Sequence, residues 1–205
     1  MPDVGALTRN AVKVLPEGEL ERKLALGRPL RVKLGIDPTA RDIHIGQAIP
    51  LQRMRAFQDQ GHTGILIVGD YTARVGDPSG RSKERRVLSD ADIDGNAQRY
   101  FQQALRILDP ERTELRFNGE WLAKIDFAEL LRLTRIVTVS RLLERDDFER
   151  RFKANQPISV SEFLYPLMQG YDSVAIEADV ELGGTDQEYN LLTGRDIQQV
   201  YGQDF

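Results

Sequence analysis

The alternation of apolar and polar residues in the first third of the chain predicts a strand, a helix and a second strand. In "RVKLGI" (31–36) the large apolar residues occupy every second position, which is typical of a strand with a buried face. Residues 44–60 have the composition of a helix that ends at Gly61. The next segment, "GILIVGD" (64–70), is a continuous apolar run, typical of a buried parallel strand. Together these elements predict a βαβ unit.

The rest of the chain continues the alternation of helices and strands. Two short helices are expected within residues 5–27, the second of them from near Pro16 to Gly27. The later elements are a helix from Ser89 or Asp90 to Leu108, a strand at 113–118, charge-dense helices over 120–155, a helix from about Ser161 to Asp172, a strand at 174–182 and a helix from about Asp186. This order predicts an α/β fold with a doubly wound parallel sheet and a helical insertion.

The composition indicates an ordinary globular protein and excludes several classes of site. The chain has 205 residues, no cysteine and a net charge of −4, which argues against disulfides, thiolate metal sites and a dedicated nucleic-acid-binding surface. No apolar run approaches the roughly 18 residues that span a bilayer, and the N-terminal segment lacks a signal peptide's apolar stretch. We therefore expect a cytoplasmic protein. The basic run "RSKERR" (81–86) is by itself typical of a solvated loop.

Three loops that follow predicted strands combine glycine, aspartate and a hydroxyl residue. They are "GIDPT" (35–39), "GDYTARVGDPSG" (69–80) and "LGGTDQ" (182–187). In open α/β sheets, ligands bind beyond the carboxyl ends of the strands. Glycines let a ligand approach the backbone, and carboxylates can bind an ammonium, a ribose hydroxyl or a metal. These loops are therefore the candidate ligand site.

The sequence places His44 and Gly46 at the start of the helix that follows the first predicted strand. Free N–H groups and the helix dipole make such a position suitable for an anion, and a histidine there can donate to a phosphate. Pro38 restricts the preceding loop. The alternative is that His44 only caps the helix or is exposed, and the short motif "HIG" by itself favours this alternative.

A second candidate site lies on the helix that starts near Ser161. Tyr165, Gln169 and Asp172 are spaced i, i+4 and i+7, so they share one face of a helix that is otherwise apolar. This face is either exposed to solvent or lines a pocket with a phenol, an amide and a carboxylate. Pro166 is expected to bend the helix.

No nucleophile with an adjacent base is evident in the sequence. Cysteine is absent, and the two histidines, His44 and His62, lie 18 residues apart without the spacing of metal ligands. We therefore expect a site that binds and orients its substrates and forms no covalent intermediate. No protein-bound metal is predicted.

Four segments, in order, resemble the catalytic domain of the bacterial tyrosyl-tRNA synthetases, a family of class I aminoacyl-tRNA synthetases. They are "DPTARDIHIGQ", "GDPSGRSKER", "YPLMQGYD" and "GGTDQ". The resemblance covers essentially all of residues 1–205 and implies a Rossmann-like doubly wound parallel sheet with a helical connective insertion. It also implies a homodimer that forms through the insertion, at approximately residues 110–160.

The resemblance implies a ligase that acts in two steps. The carboxylate of L-tyrosine attacks the α-phosphate of ATP, which carries Mg2+, to give tyrosyl-adenylate and pyrophosphate. The tyrosyl group then passes to the terminal ribose of tRNA(Tyr). Neither a tightly bound cofactor nor a membrane is implied.

The resemblance also implies roles for individual residues. Those at the phosphates would be Thr39, His44, Arg81 and Arg85. Those that bind tyrosine would be Lys33, Gly35, Asp37, Thr72, Asp77, Asn118, Tyr165, Gln169, Asp172 and Gln187. Those that bind ATP would be Asp37, His44, Gly46, Gln47, Gly183, Gly184 and Asp186. Among these, Asp77, Tyr165 and Gln169 would hold the substrate ammonium, and Asp172 would accept the phenol hydroxyl.

The sequence departs from the family pattern at several positions. Gln47 replaces the second histidine of the HIGH signature, and Lys33 replaces a tyrosine that shares the phenol contact. Leu34 and Pro50 replace a cysteine and a threonine near the nucleotide. The KMSKS signature and the anticodon-binding region are absent before Phe205. We therefore expect a catalytic domain that is incomplete at its C-terminal end, with impaired full activity.

Three alternatives remain open on sequence grounds. A tryptophanyl-tRNA synthetase shares the fold, although the polar stripe and "GGTDQ" favour tyrosine. A small-molecule nucleotidylyltransferase would use the same histidine–glycine signature without an amino-acid pocket. A non-catalytic module would dimerise or bind RNA through the helical insertion.

Overall fold

Four parallel strands form the centre of the molecule. The structure is a computed structural model that describes residues 3–38, 42–78 and 89–204. In this part the strands are β1 (Arg31–Ile36), β2 (Thr63–Val68), β3 (Thr113–Phe117) and β4 (Val180–Leu182), in the sheet order β3-β2-β1-β4. Every pairing is parallel. The predicted doubly wound α/β sheet is confirmed.

Helices connect the strands and cover the sheet. They are α1 (Val4–Leu7), α2 (Glu19–Leu24), α3 (Ile45–Asp59), α4 (Asp90–Ala104), α5 (Gly119–Leu122), α6 (Phe127–Thr134), α7 (Val139–Leu143), α8 (Asp146–Lys153), α9 (Val160–Ala175) and α10 (Glu188–Val200). No helix in the described ranges is long and apolar enough to cross a bilayer. The helical part of the predicted insertion is α5 to α8, because β3 belongs to the sheet.

The two faces of the sheet bury different sets of residues because side chains alternate along a strand. On one face, Val32 and Leu34 of β1 pack in a cluster with Met54 and Phe57 of α3 and with Tyr100 of α4. On the other face, residues of β2 meet the segment after α9; this cluster comprises Ile65, Ile67, Ile176 and Ala178, with Trp121 packed against it. The second face also carries the polar residues of the site.

The predicted strand at 174–182 is wrong over residues 174–179. Residues 174–175 continue α9, and only Val180–Leu182 form β4. Glu177 has a φ of 50° and makes the turn between the two elements. The apolar residues of this segment are buried in either conformation, so hydrophobicity alone does not separate a helix end from a strand. The predicted start of α2 near Pro16 is also early, since the helix begins after Gly18.

A buried ion pair joins β1 and β4. The ammonium of Lys33 lies 2.7 Å from Oε1 of Glu181, and the two side chains are 0% and 5% exposed. Lys33 also donates to Oγ of Ser173 at 2.9 Å and to the carbonyl oxygen of Gln169 at 2.8 Å. The hydroxyl of Ser173 in turn donates to Oε2 of Glu181 at 3.0 Å. All three ammonium hydrogens therefore have partners, which is the condition for burying a charge at tolerable cost.

Replacing Lys33 with Met leaves Glu181 buried without its cation. We expect the free energy of unfolding to fall by about 3 kcal/mol or more, because the remaining charge is uncompensated. Urea unfolding followed by Trp121 fluorescence measures this change. The matched control is Lys33→Met combined with Glu181→Met, which removes both charges and should recover most of the loss. Equal losses in the single and double variants would contradict a stabilising ion pair.

Candidate active site

The candidate site lies where the carboxyl ends of the strands meet. Parallel strands bring these ends to the same edge of the sheet. Asp37 follows β1, Asp70 and Thr72 follow β2, and Asn118 and Gly183 follow β3 and β4. Residues that are far apart in the sequence are thereby brought to one edge of the molecule.

Asp37 connects the first two loops with α9. Its Oδ1 accepts a hydrogen bond from Oγ1 of Thr72 at 2.8 Å, and its Oδ2 accepts one from the hydroxyl of Tyr165 at 2.8 Å. A Cβ at Gly69 would lie 2.0 Å from Oδ1 of Asp37, so only glycine allows this approach. The Asp-Pro loop is therefore tied to both neighbouring elements.

Asp172 is a buried carboxylate in the same network. It is 3% exposed, and it accepts hydrogen bonds from Nε1 of Trp121 at 2.8 Å and from Nδ2 of Asn118 at 3.3 Å. Asn118 also donates to Oγ1 of Thr72 at 3.1 Å. Burial raises the pKa of Asp172 to about 7, against the opposing effects of the Lys33 charge and the two hydrogen bonds.

The polar stripe formed by Tyr165, Gln169 and Asp172 lies on the face of α9 that is turned to the interior. Tyr165 and Asp172 are buried, and Gln169 accepts a hydrogen bond at Oε1 from Nδ2 of Asn190. The alternative of a solvent-exposed face is therefore wrong. The helix continues through Pro166 to Ala175. In this way, α9 presents a phenol, an amide and a carboxylate to the sheet edge.

Gly35 leaves an open space on the sheet. It lies near the carboxyl end of β1, an inner strand of the sheet, on the same face as Lys33 and Asp37, yet it is exposed. A Cβ at this position would meet no heavy atom within 4 Å. A central strand is normally covered on both faces, so this space is a candidate ligand pocket.

The loop after β4 reaches the loop after β2 through Gln187. Its Nε2 donates to Oδ2 of Asp77 at 2.9 Å and to Oδ2 of Asp186 at 3.2 Å. A Cβ at Gly184 would lie 2.4 Å from Oδ1 of Asp186, so the Asp186 side chain lies directly against this glycine. A Cβ at Gly183 would lie 3.2 Å from Cβ of Gln187. Gly183 and Gly184 thus let the backbone of this loop lie against the side chains of Gln187 and Asp186.

His44 is the N-cap residue of α3 and is exposed. Its backbone N–H donates to Oε1 of Gln47 at 3.2 Å, so Gln47 helps to cap the helix. A Cβ at Gly46 would lie 3.1 Å from Cε1 of His44, which shows that the imidazole lies against this glycine. The structure thus places His44 at the N-cap position of α3, and a helix N-terminus of this kind is suited to a phosphate.

Three predicted residues, Thr39, Arg81 and Arg85, lie outside the described ranges. Among residues 3–38, 42–78 and 89–204, no group of three or more histidine, aspartate or glutamate side chains is placed to hold a metal ion.

Two residues of this network, Trp121 and Asn190, were not predicted from the sequence. Trp121 donates to Asp172, and Asn190 donates to two predicted glutamines, Gln169 and Gln187, at 3.0 Å each. Trp121 lies only three positions after Asn118, so a tryptophan beside a strand-end polar residue was an available signal. No local signal marks Asn190.

Comparisons with known proteins agree with this architecture. The family model described as tRNA synthetases class I (W and Y) matches residues 25–205. The tyrosine–tRNA ligase of Moorella thermoacetica is 55% identical over 202 residues, which cover 97% of this chain and 49% of that protein. The tyrosine–tRNA ligase of Thermotoga maritima is 56% identical over 201 residues, covering 98% and 50%. The chain therefore spans about half the length of the curated relatives it matches.

Solved structures show the same fold. A C-terminally truncated mitochondrial tyrosyl-tRNA synthetase of Aspergillus nidulans has a TM-score of 0.76 at 26% identity and covers 87% of this chain and 55% of its own. The tyrosyl-tRNA synthetase of Archaeoglobus fulgidus, solved with L-tyrosine, has a TM-score of 0.75 at 23% identity and covers 98% and 60%. The predicted Rossmann-like fold is confirmed, and the chain belongs to the class I tRNA synthetases of the tryptophan and tyrosine group.

Proposed function

We propose that this chain carries the amino-acid and nucleotide site of a tyrosine–tRNA ligase. The observation that carries the proposal is the buried carboxylate of Asp172, held by Trp121 and Asn118 at the strand ends. A buried carboxylate that accepts only two hydrogen bonds has capacity for a further donor. The phenol hydroxyl of tyrosine is such a donor, and the space over Gly35 is the proposed place for its ring.

The proposed ammonium site lies among Tyr165, Gln169 and Asp77. Tyr165 donates its hydroxyl hydrogen to Asp37, so its hydroxyl oxygen would interact with an ammonium as an acceptor. The carboxylate of Asp77 supplies negative charge beside Gln187. At one end of the pocket, the negative charge and the hydrogen-bond acceptors would bind the substrate ammonium. At the other end, Asp172 would accept the hydrogen bond of the phenol. Together these groups would select a free amino acid with a para hydroxyl group.

The proposed ATP site lies between the start of α3 and the loop after β4. His44, Gly46 and Gln47 would meet the phosphates and the nucleotide, while Gly184 and Asp186 would meet the ribose. Gln187 would lie near the reacting carboxylate. Mg2+ would arrive with ATP as part of the substrate.

The proposed reaction needs no protein nucleophile. The tyrosine carboxylate attacks the α-phosphate, the bond to the β-phosphate oxygen breaks, and pyrophosphate leaves. The charge that develops on the phosphates would be stabilised by Thr39, His44, Arg81 and Arg85. Correct orientation of the two reactants would supply the rest of the rate enhancement.

Transfer to tRNA(Tyr) is proposed for the whole protein in the cytoplasm. A homodimer through the helical insertion is supported by α6, where Phe127 and Leu131, one helical turn apart, are 73% and 45% exposed. Large apolar side chains that are exposed together are typical of a protein interface. Tryptophan is the alternative amino acid within the family, and the relatives named tyrosine–tRNA ligases favour tyrosine.

Calorimetric titration of the chain with L-tyrosine and L-phenylalanine tests the proposal. Phenylalanine should bind at least about 100-fold more weakly, because a buried charged acceptor that lacks its donor costs about 3 kcal/mol. Asp172→Asn should remove most of this discrimination. Asp59→Asn, which removes an exposed carboxylate on α3, is the matched control and should behave as the unchanged chain. Equal affinity of the folded chain for both amino acids would overturn the tyrosine assignment.

Gly35→Val tests the position of the ring. The valine Cβ meets no neighbour and a strand favours valine, so we expect the thermal midpoint to change little. Its methyl groups would fill the proposed pocket, and tyrosine affinity should fall at least about 100-fold, equivalent to about 3 kcal/mol. Gly95→Ala, at an open position of α4, is the control and should retain binding. Tyrosine binding to Gly35→Val at the affinity of the unchanged chain would place the ring elsewhere.

A further inference from the structure

Asn190 joins the two glutamines of the candidate site. It is 1% exposed on α10, and its Nδ2 donates to Oε1 of Gln169 at 3.0 Å and to Oε1 of Gln187 at 3.0 Å. Its Oδ1 accepts a hydrogen bond from Nη1 of Arg145 at 3.0 Å. All the hydrogen-bonding groups of the Asn190 amide therefore have partners.

The direction of these hydrogen bonds is determined by Arg145. A guanidinium can only donate, so Asn190 must present its carbonyl oxygen to Arg145 and its amide hydrogens to the two glutamines. Each glutamine must then turn its oxygen to Asn190, and the Gln169 oxygen keeps a second lone pair that can accept from the substrate ammonium. As a consequence, Nε2 of Gln187 points to Asp77 and Asp186 as a donor. Reversal of the Gln187 amide would place an oxygen against two carboxylates.

Arg145 is itself held firmly in the helical insertion. It lies between α7 and α8, is 7% exposed, and forms an ion pair with Asp147 at 3.1 Å. Its guanidinium carbon lies 4.9 Å and 5.2 Å from the ring centroids of Phe148 and Tyr189. Aromatic rings stabilise a guanidinium placed over their faces. The insertion thus supplies a fixed donor to the sheet edge.

We propose that Arg145 and Asn190 are positioning residues that set the amide orientation of Gln169 and Gln187 for amino-acid binding. The inference rests on the proposed function, which places L-tyrosine against Gln169 and Gln187. Arg145 and Asn190 act through the glutamines and need not touch the ligand.

Asn190→Asp tests the proposal directly. Aspartate still accepts from Arg145 but cannot donate to the glutamines when ionised, so both amides are free to reverse. We expect tyrosine affinity to fall about tenfold or more, the usual effect of one hydrogen bond, measured on a variant whose circular dichroism spectrum shows that it is folded. In a Gln187→Ala background the same substitution should have a smaller effect, because part of its action passes through Gln187. Additive losses would overturn the proposed route.

Arg145→Lys and Arg145→Leu give a second test. Lysine can still donate to Asn190, so it should retain most of the tyrosine affinity that leucine loses. The matched control is Arg150→Leu, which removes an exposed arginine from the same insertion and should retain full affinity. A lysine variant as weak as the leucine variant, with the fold retained, would contradict a hydrogen-bonding role.

Side-chain amide NMR separates failure of this inference from failure of the proposed function. The Asn190 amide hydrogens should exchange slowly with solvent in the unliganded chain and faster in Arg145→Leu. If the unchanged chain binds no tyrosine, the proposed function fails, and the exchange rates still decide whether Arg145 orients Asn190. If exchange behaves as expected and tyrosine affinity is unaffected in every variant, the positioning role is overturned.

Discussion

The structure of the site depends on a carboxylate that is kept out of water. Asp172 is buried beside a buried ion pair, and its pKa is raised to about 7 because desolvation outweighs the two hydrogen bonds it accepts. An environment of this kind costs stability in the free chain and becomes favourable when a ligand supplies another donor. In the proposed site, selectivity for a hydroxyl group would follow from the same physics, since a ligand without it would leave the carboxylate undersatisfied.

Most of the surrounding architecture serves to hold this group while leaving space for a ligand. The pair of Lys33 and Glu181 fills the buried part of the sheet face, and Gly35 leaves the next position open. The hydrogen bonds that Asp37 accepts from Thr72 and Tyr165 tie the loops after β1 and β2 to α9. Hydrogen bonds and an ion pair therefore hold the walls of the site around an open space, which is the arrangement expected of a preorganised binding site.

Local patterns predicted much of this arrangement, and long-range contacts explain what they missed. The strands β1 and β2, the helix α3 and the stripe on α9 follow from periodicity within a few residues. Lys33 was predicted to contact the ligand, yet its partner Glu181 lies 148 residues away and no local pattern indicates the ion pair. Asn190 and Arg145 meet only in the folded chain. The boundary between α9 and β4 was misplaced because both bury the same kind of apolar residue.

The titration of the Asp172 carboxyl group by carbon-13 NMR, with and without L-tyrosine, tests the central claim most directly. In the free chain the carboxyl should titrate near its raised pKa of about 7. Saturating tyrosine should lower this pKa, because a hydrogen bond from the phenol stabilises the ionised form. A carboxyl that titrates near about 4, the ordinary value for aspartate, and does not respond to tyrosine would contradict the account.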